Sequence, residues 1–488
     1  MENKIDSLKK EPVFRQFYRI SQIPHGSGQE QALSNEIIRW ARERNIQAEC
    51  DAIGNVFLKK KRSWEKRPAV LLQAHMDMVC VKRAGSPHDF DRDPIPWVIE
   101  GDVLSTGGET SLGADDGIGV ALALAMLELD GTDLPDLEVL LTVNEEEDMS
   151  GALGFDMSRS EATLMINLDH TNEHEILCGS CGGMRADLHL PVEWRPVPDT
   201  WTCCELILSG LAGGHSGDDI HKGRGNAIVL LARLLDEIGR VSPFGVCKLR
   251  GGSMRLAIPA EAEAVICFPA ERETAVRDAV NAAKSGMARE LSGSGADLAV
   301  KLRTLDGLEA GRCVESGRLL DALLLSPDGI CQMNASIEGM VDTSDNLGEV
   351  LLGESSLDLV FEIRSAQLSL RFAVYRKLER LAALLGGNCS WSEAYPSWEY
   401  RPGSRAIAQV GEVYREVYGG EPRLLTLHAG LEPGCLIQKK PDLDVVSLGP
   451  TLWDLHSPGE SLSISSVRRF YVYLQKILIT INQKGEDG

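Results

Sequence analysis

Three short apolar runs place the strongest constraint on the fold of this 488-residue chain. They are AVLLQAH (69–75), LEVLLTVNEE (137–146) and TLMINLD (163–169), and each has the length of a strand buried on both faces of a sheet. Between the first two, GIGVALALAMLEL (117–129) has the length and apolar content of a helix. Alternating strands and helices predict an α/β fold with a doubly wound sheet, in which ligands bind beyond the carboxyl ends of the strands.

The character of the sequence changes after Asp169 and changes back near residue 403. The intervening part has Gly-rich turns, Pro-rich stretches and strand-like segments such as CCELILSG and EAVICF, which indicate an α+β domain. The chain closes with an amphipathic helix around SVRRFYVYLQKILITI. We therefore predict a discontinuous first domain, 1–184 with 403–488, and a second domain inserted over 185–402. No internal repeat is evident.

The formal net charge of -22 disfavours binding to phosphate backbones, because the only basic run is 59–62 (KKKR), which we interpret as a solvated strand end. No stretch has the composition of a signal peptide or a membrane span. The twelve cysteines are scattered, which is typical of reduced thiols. These features predict a cytoplasmic protein without nucleic-acid or membrane partners.

Residues that can bind metal end each apolar run or lie in loops: His75 and Asp77, Asp115 and Asp116, Glu145 and Glu146, Asp169, and His456. Alone, each has a simpler explanation, since an Asp pair can cap a helix and a Glu pair can form a solvated turn. Together, two histidines and three carboxylates at the ends of different strands can hold two divalent cations, provided that one carboxylate bridges them. A further carboxylate can then take the proton of an attacking water.

These residues, in this order, resemble the M20 metallopeptidases, and within them the aminoacyl-histidine dipeptidases. The resemblance covers essentially the whole chain, through QAHMDMV, GADDGIGVA, LTVNEEEDMSGALG, INLD, GLAGGHSGDDIHKGRGNA, LHAGLEPG and LGPTLWDLHSP. It implies a zinc-peptidase-like α/β/α catalytic domain with an inserted α+β lid and dimerisation domain. It also implies a metal-dependent dipeptidase that acts on Xaa-His and related dipeptides and forms a homodimer through the lid.

The resemblance assigns a role to each site residue. The expected ligands are His75 and Asp169 for one metal, Glu146 and His456 for the other, and Asp115 as the bridge between them. Glu145 is expected to be the general base, and Asp77 is expected to orient His75.

The resemblance also implies residues that meet the substrate. His215, in the lid, is expected to reach a neighbouring active site and polarise the scissile carbonyl. The expected substrate-binding residues are Asn226, Arg364, His428 and Glu432. Of these, Arg364 is expected to hold a substrate carboxylate through a bidentate contact.

Several alternatives remain open. The consecutive glutamates at 145–147 leave the register of base and ligand ambiguous by one residue, and aligning MSGALG with the family's glycine-containing segment gives the assignment above. Asp116 stands where close relatives often have Asn, and it adds negative charge beside the metals. Zinc is the expected metal, with manganese or cobalt as alternatives. The alternative functions are an M20 amidohydrolase acting on N-acyl amino acids, a dipeptidase of broad specificity, and an inactive metal-binding scaffold.

Overall fold

The computed structural model describes residues 4–62, 69–131, 133–305 and 311–486. The chain divides into two compact units, the first formed by Met1–Gly179, Trp398–Thr426 and Leu431–Gly488, and the second by Ser180–Ser397 and Leu427–Gly430. The functional boundaries proposed after residues 184 and 402 stay a prediction. Among the described residues, no helix combines the length and apolarity that crossing a bilayer requires.

The helices are, in chain order, α1 (Lys4–Leu8), α2 (Pro12–Ser21), α3 (Gln31–Arg42), α4 (Ala114–Glu128), α5 (Glu145–Asp148), α6 (Ser150–Gly154), α7 (Ala227–Val241), α8 (Glu273–Glu290), α9 (Ser316–Leu325), α10 (Leu368–Leu384), α11 (Arg405–Tyr418), α12 (Glu432–Lys439) and α13 (Ile464–Glu486). Short 3-10 turns occur at Met157–Arg159, Ile220–Lys222 and Ala270–Arg272.

The strands are β1 (Gln47–Cys50), β2 (Val56–Lys60), β3 (Ala69–His75), β4 (Val98–Glu100), β5 (Val103–Ser105), β6 (Asp136–Thr142), β7 (Leu164–Asn167), β8 (Glu175–Ser180), β9 (Gly182–Pro191), β10 (Trp194–Pro196), β11 (Trp201–Ser209), β12 (Gly214–His215), β13 (Gly245–Gly251), β14 (Ala257–Ile258), β15 (Ala262–Pro269), β16 (Ala299–Thr304), β17 (Arg312–Glu315), β18 (Gly329–Met333), β19 (Val341–Leu352), β20 (Ser356–Ser365), β21 (Asn388–Tyr395), β22 (Arg423–Leu427), β23 (Asp444–Ser447), β24 (Leu452–Trp453) and β25 (Ser461–Ser463).

The large sheet of the first unit has the strand order β1-β2-β6-β3-β7-β23-β8-β22. Its centre is parallel: β3 pairs with β6 and β7, and β7 pairs with β23. Every residue of β3 and of β6 after the first is buried, which is why both strands are mostly apolar. Because parallel strands end at the same edge, His75, the segment after Thr142 and the segment after Asn167 meet there.

Helix α4 lies against β3 and α2 and is buried on all sides, as a helix that is apolar all round must be. Two residues of the basic run 59–62, Lys60 and Arg62, bind the carboxyl end of α4, whereas Lys61 is exposed. Lys60 Nζ donates to Leu127 O at 2.8 Å and to Leu129 O at 3.0 Å. The expectation of a solvated strand end is therefore wrong for Lys60 and Arg62, because the last carbonyls of a helix attract cations.

The second unit consists of two halves with the same topology. One half is β11-α7-β13-β15-α8-β16 and the other is β9-α9-β19-β20-α10-β21. The main strand order of the sheet is β16-β11-β15-β13-β19-β20-β9-β21. Outward from the junction of β13 and β19, corresponding strands of the two halves follow in the same order. Helices of both halves share one apolar core. The two halves therefore repeat one topology, although no repeat is evident in the sequence, and the first half is inserted between β9 and α9 of the second.

The junction of the halves depends on Gly252, which directly follows β13. Its φ is +66°, and a Cβ there would lie 1.8 Å from Gly348 O. We expect Gly252→Ala to lower the free energy of unfolding by about 2–3 kcal/mol, from left-handed backbone strain and steric overlap together. Gly295→Ala is the matched control, because its φ is +76° and no atom lies within 4 Å of its added Cβ. Guanidinium denaturation should show a clearly larger loss for Gly252→Ala, and equal losses would contradict a close junction.

Candidate metal centre

The metal-capable residues of the first unit converge at the carboxyl edge of the large sheet. Three groups have one ligand atom per residue with all atoms within 4.8 Å of each other: His75 with Asp116 and Asp169, His75 with Glu145 and Glu146, and Asp115 with Glu146 and His456. They come from the end of β3, the start of α4, the start of α5, the end of β7 and the loop before β25. The structure thus brings together all the side chains for which metal ligation is predicted.

Asp115 lies between two histidines. Its Oδ1 is 3.2 Å from His75 Nε2, and its Oδ2 is 3.3 Å from His456 Nε2. On one side His75 Nε2 is also 3.6 Å from Asp169 Oδ1, and on the other His456 Nε2 is 2.8 Å from Glu146 Oε1. The two oxygens of one carboxylate therefore face two separate His-carboxylate pairs, as a bridging ligand requires.

Asp77 connects the two sides of the cluster through the backbone. His75 Nδ1 lies 3.0 Å from Asp77 O and 3.4 Å from Asp77 Oδ1. The carboxylate accepts the N–H of Glu145 at 3.0 Å, the N–H of Glu146 at 3.1 Å and the hydroxyl of Ser27 at 2.8 Å. Although burial acts to raise it, these contacts with His75 and the backbone lower the pKa of Asp77 to about 2. Asp77 is thus a fixed anion that orients both His75 and the start of α5.

Two non-glycine residues at the cluster have left-handed backbones. Asn144 has φ 55° and His456 has φ 56°. Asn144 ends the predicted apolar run early, since β6 stops at Thr142 and α5 begins at Glu145. The turn directs Glu145 and Glu146 into the cluster and leaves Glu147 exposed. Strained backbone of this kind is concentrated at functional sites.

Glu460 has a positioning role that sequence analysis missed. It is only 2% exposed, and its carboxylate accepts four consecutive backbone N–H groups, from Leu112 at 2.8 Å, Gly113 at 3.2 Å, Ala114 at 2.7 Å and Asp115 at 3.2 Å. Glu460 lies four residues after His456 in the same loop, so its hydrogen bonds connect this loop to the segment that carries Asp115. The sequence signal available was an acidic residue in the Ser-Pro-Gly-Glu turn directly after His456.

Charge at the cluster fits divalent cations. Burial raises the pKa of Asp169 to about 7 and holds the pKa of Glu145 well above its usual range. Hydrogen bonds to Asp115 and then to Glu146 raise the pKa of His456 to about 10. The carboxylates therefore crowd into a buried space in which histidines are the main cationic partners, and cations bound between them would offset this repulsion. The mixed His/carboxylate donor set is one that first-row divalent metals accept.

Asp116 is a buried neighbour of the cluster. Its Oδ2 accepts the backbone N–H of His75 at 3.2 Å, and its Oδ1 accepts the N–H of Gly119 at 3.2 Å. Burial, followed by the charge of Asp169, raises its pKa well above the usual range. The side chain holds the end of β3 against the start of α4, and it also lies within reach of the His75 and Asp169 ligand atoms.

Three of the residues predicted to meet the substrate lie together in the second unit. His215 has its side chain 39% exposed, and its Nδ1 accepts the N–H of Asp218 at 3.0 Å, so a neutral ring carries its proton on Nε2. Arg364 is buried, donates to Ser216 Oγ at 3.1 Å and contacts the hydroxyl of Tyr395. Burial, with Arg364 nearby, lowers the pKa of His428 to about 3, so this histidine is neutral.

Asn226 and Glu432 each form hydrogen bonds within their own unit. Asn226 caps α7: its Oδ1 accepts Ile228 N at 2.9 Å, and its Nδ2 donates to Asp328 Oδ1 at 2.8 Å and to Leu347 O at 2.9 Å. Its amide hydrogens are thus used within the second unit. The cap was visible in the sequence, as Asn before an apolar helical run.

Glu432 belongs to the first unit and is fully buried. Its Oε2 accepts the hydroxyl of Thr142 at 2.8 Å and the side-chain amide of Gln73, both on strands that carry the cluster. Burial raises its pKa to about 7. Its contacts are with the scaffold of the metal centre.

The fold and the site together define an α/β protein with a candidate centre for two divalent metals. Comparison with known proteins narrows this class. A family model described as a peptidase dimerisation domain matches residues 207–293, within the second unit. The cytosol non-specific dipeptidase of Escherichia coli (strain K12) is 35% identical over 488 residues, which cover 99% of this chain and 100% of that protein.

Solved structures agree with this match. The crystal structure of aminoacylhistidine dipeptidase from Vibrio alginolyticus has a TM-score of 0.87 and 33% identity, covering 98% of each chain. The aminopeptidase PepT from Bacillus cereus shares the fold, with a TM-score of 0.56 and 14% identity over 97% of this chain and 99% of that one. The chain therefore belongs to the M20 peptidase family, in the group that contains these two dipeptidases. The predicted family and α/β fold class are confirmed.

The Glu460 contacts generate a prediction about metal affinity. Glu460→Gln leaves one acceptor oxygen for four N–H groups and turns an amide NH2 toward two of them, so the Asp115 segment should lose its fixed position. We expect the affinity for zinc to fall about 10- to 100-fold, the range seen when residues that orient ligands are changed. Competition with a chromophoric chelator measures it, with the exposed Glu100→Gln as a charge-matched control. Equal affinity in both variants would contradict a positioning role for Glu460.

Proposed function

We propose that this chain is a dipeptidase that hydrolyses Xaa-His and related dipeptides with a water activated by Glu145 beside two divalent cations. The observation that carries the proposal is the position of Asp115, whose two oxygens lie 3.2 and 3.3 Å from the histidines of two separate His-carboxylate pairs. The names of the relatives support the substrate class, since one is called a non-specific dipeptidase and the other an aminoacylhistidine dipeptidase.

The proposed ligands are His75 and Asp169 on one side, Glu146 and His456 on the other, and Asp115 between them. When bound, the cations lower the pKa of water and stabilise negative charge on the carbonyl oxygen. Zinc is the proposed metal, with manganese and cobalt as alternatives that the same donor set accepts. Asp77 holds His75 in the orientation that ligation needs.

Glu145 is the proposed general base. Its backbone N–H is fixed by Asp77, and burial raises the pKa of its carboxyl group well above the usual range for glutamate. A carboxylate oxygen of Glu145 takes a proton from the attacking water. The same group then gives that proton to the nitrogen of the departing amine, so the base is regenerated in each cycle.

Residues of the second unit supply the remaining proposed roles. His215 donates from Nε2 to the carbonyl oxygen as negative charge develops, which its tautomer allows. Arg364 and His428 form the proposed binding group for the substrate's carboxylate end, with Arg364 providing the positive charge. The contacts of Asn226 and Glu432 support positioning roles, the first at the start of α7 and the second beneath the metal centre.

The proposal extends to assembly and location. We propose a cytoplasmic homodimer that forms through the second unit and in which His215 serves the partner's site. The support for association is the match of residues 207–293 to a peptidase dimerisation domain. The support for location is the relative whose name places it in the cytosol.

The test of the proposed function is release of free histidine from β-alanyl-histidine and leucyl-histidine by chelator-stripped protein. We expect no turnover in the stripped protein and restored turnover after zinc, manganese or cobalt is added back separately. N-acetyl amino acids provide the comparison, because an amidohydrolase would prefer them. Restored cleavage of N-acetyl amino acids alone, or of no substrate, would overturn the dipeptidase assignment.

The role of Glu145 gives a separate prediction. Glu145→Gln removes the proton acceptor while keeping the size of the side chain, so kcat should fall about 10²- to 10⁴-fold, the usual contribution of general acid–base catalysis. Bound metal should stay the same by elemental analysis. The matched control is Asp148→Asn, which changes an exposed acid in the same helix and should keep near wild-type kcat. Near wild-type kcat in Glu145→Gln would show that the register of base and ligand is wrong.

A further inference from the structure

A cavity of about 320 Å³ opens beside the metal centre within the first unit. Glu146 lies in its wall, so the cavity begins at one of the proposed metal ligands. Its volume accommodates an amino-acid side chain. None of the roles proposed above uses it.

One part of the cavity wall is apolar. It consists of Met78, Val79 and Phe90, with the sulfur of Cys80 beside them. Met78 is 3% exposed and continues the segment that carries His75 and Asp77, so this surface is rigidly connected to the metal centre. Gly26 allows the close approach of Cys80, because a Cβ at Gly26 would lie 2.8 Å from the Cys80 sulfur. An aliphatic chain can therefore lie along this wall.

The polar part of the wall is acidic. Asp91 and Glu147 are exposed carboxylates at the cavity, and Glu146 is the third acid in its lining. The lining residues that the structure describes include no Lys, Arg or His. The cavity therefore attracts cations and repels anions, most strongly at low ionic strength.

This charge decides which end of a dipeptide the cavity suits. A free dipeptide has an ammonium group on its first residue and a carboxylate on its second. The carboxylate end would meet like charge from Asp91 and Glu147, the two lining acids that are not proposed metal ligands, whereas the ammonium end would meet opposite charge. A long basic side chain fits best, since its methylene groups can cover the apolar wall while its charged end stays near Asp91.

We propose that this cavity binds the amino-terminal residue of the substrate and selects lysine or arginine over glutamate or aspartate at that position, with Asp91 as a specificity-determining residue. The inference rests on the proposed dipeptidase function. It adds a preference at the first substrate position to the Xaa-His activity proposed above.

The test compares Lys-Ala, Leu-Ala and Glu-Ala as substrates of the metal-loaded enzyme. We expect kcat/KM for Lys-Ala to exceed that for Glu-Ala in the wild type. Asp91→Lys reverses the charge on the wall and should lower this ratio about tenfold or more, chiefly through KM, because each exposed ion pair contributes up to about fivefold and the reversal changes both substrates. Added salt should reduce the ratio in the wild type.

Glu100→Lys is the matched control, because Glu100 is an exposed acid outside the cavity lining and the change in net charge is the same. It should leave the ratio of Lys-Ala to Glu-Ala near the wild-type value. Cleavage of Leu-Ala by all variants with the same ratio in Asp91→Lys would overturn the inference while the dipeptidase function stands. Failure of the wild type to cleave these three dipeptides as well as β-alanyl-histidine and leucyl-histidine would instead remove the proposed function on which the inference rests.

Alkylation of Cys80 gives a readout that does not depend on turnover. Cys80 lines the cavity, whereas Cys50 and Cys331 are exposed thiols outside it and serve as internal references. In Glu145→Gln protein, Lys-Ala should slow maleimide labelling of Cys80 relative to both references, and Glu-Ala should slow it less. Equal labelling of Cys80 with and without Lys-Ala would show that the amino-terminal residue does not occupy the cavity.

Discussion

Repulsion between buried carboxylates is the constraint on which the metal centre depends. The carboxyl edge of the large sheet collects Asp115, Asp116, Asp169, Glu145 and Glu146 around two histidines. Burial raises the pKa of Asp116, Glu145 and Asp169, and the charges of neighbouring carboxylates act in the same direction. Divalent cations bound among these carboxylates would offset the repulsion between them and favour their ionised forms.

The protein holds this arrangement with anions that are not themselves proposed ligands. Asp77 accepts the N–H groups of Glu145 and Glu146, and Glu460 accepts the N–H groups of residues 112–115. Each carboxylate therefore fixes a loop through its backbone, and the loop in turn directs ligand side chains inward. The rigidity of the site comes from these backbone contacts together with the buried parallel strands beneath them.

Much of the centre could be predicted because several of its residues stand directly at the ends of apolar runs that the sequence shows. His75 and Asp169 end apolar runs that have the length of buried strands, and neighbouring parallel strands end at one edge of a sheet. The roles of the individual residues, including Glu145 and Asp115, came from family resemblance, since spacing alone left capping and solvated turns open. Glu460 could not be predicted, because its partners are backbone N–H groups that every residue carries. The repeat in the second unit was also hidden, since one half interrupts the other and the halves share topology without continuous sequence.

Locating the metals would test whether Asp115 bridges two cations, as we propose. Crystals of the zinc-loaded protein measured on both sides of the zinc absorption edge give an anomalous map that marks each ion. We expect two peaks, one next to His75 and Asp169 and the other next to His456 and Glu146. One oxygen of Asp115 should lie next to each ion. A single peak, or two peaks joined through Asp116 while Asp115 stands apart, would contradict this proposal.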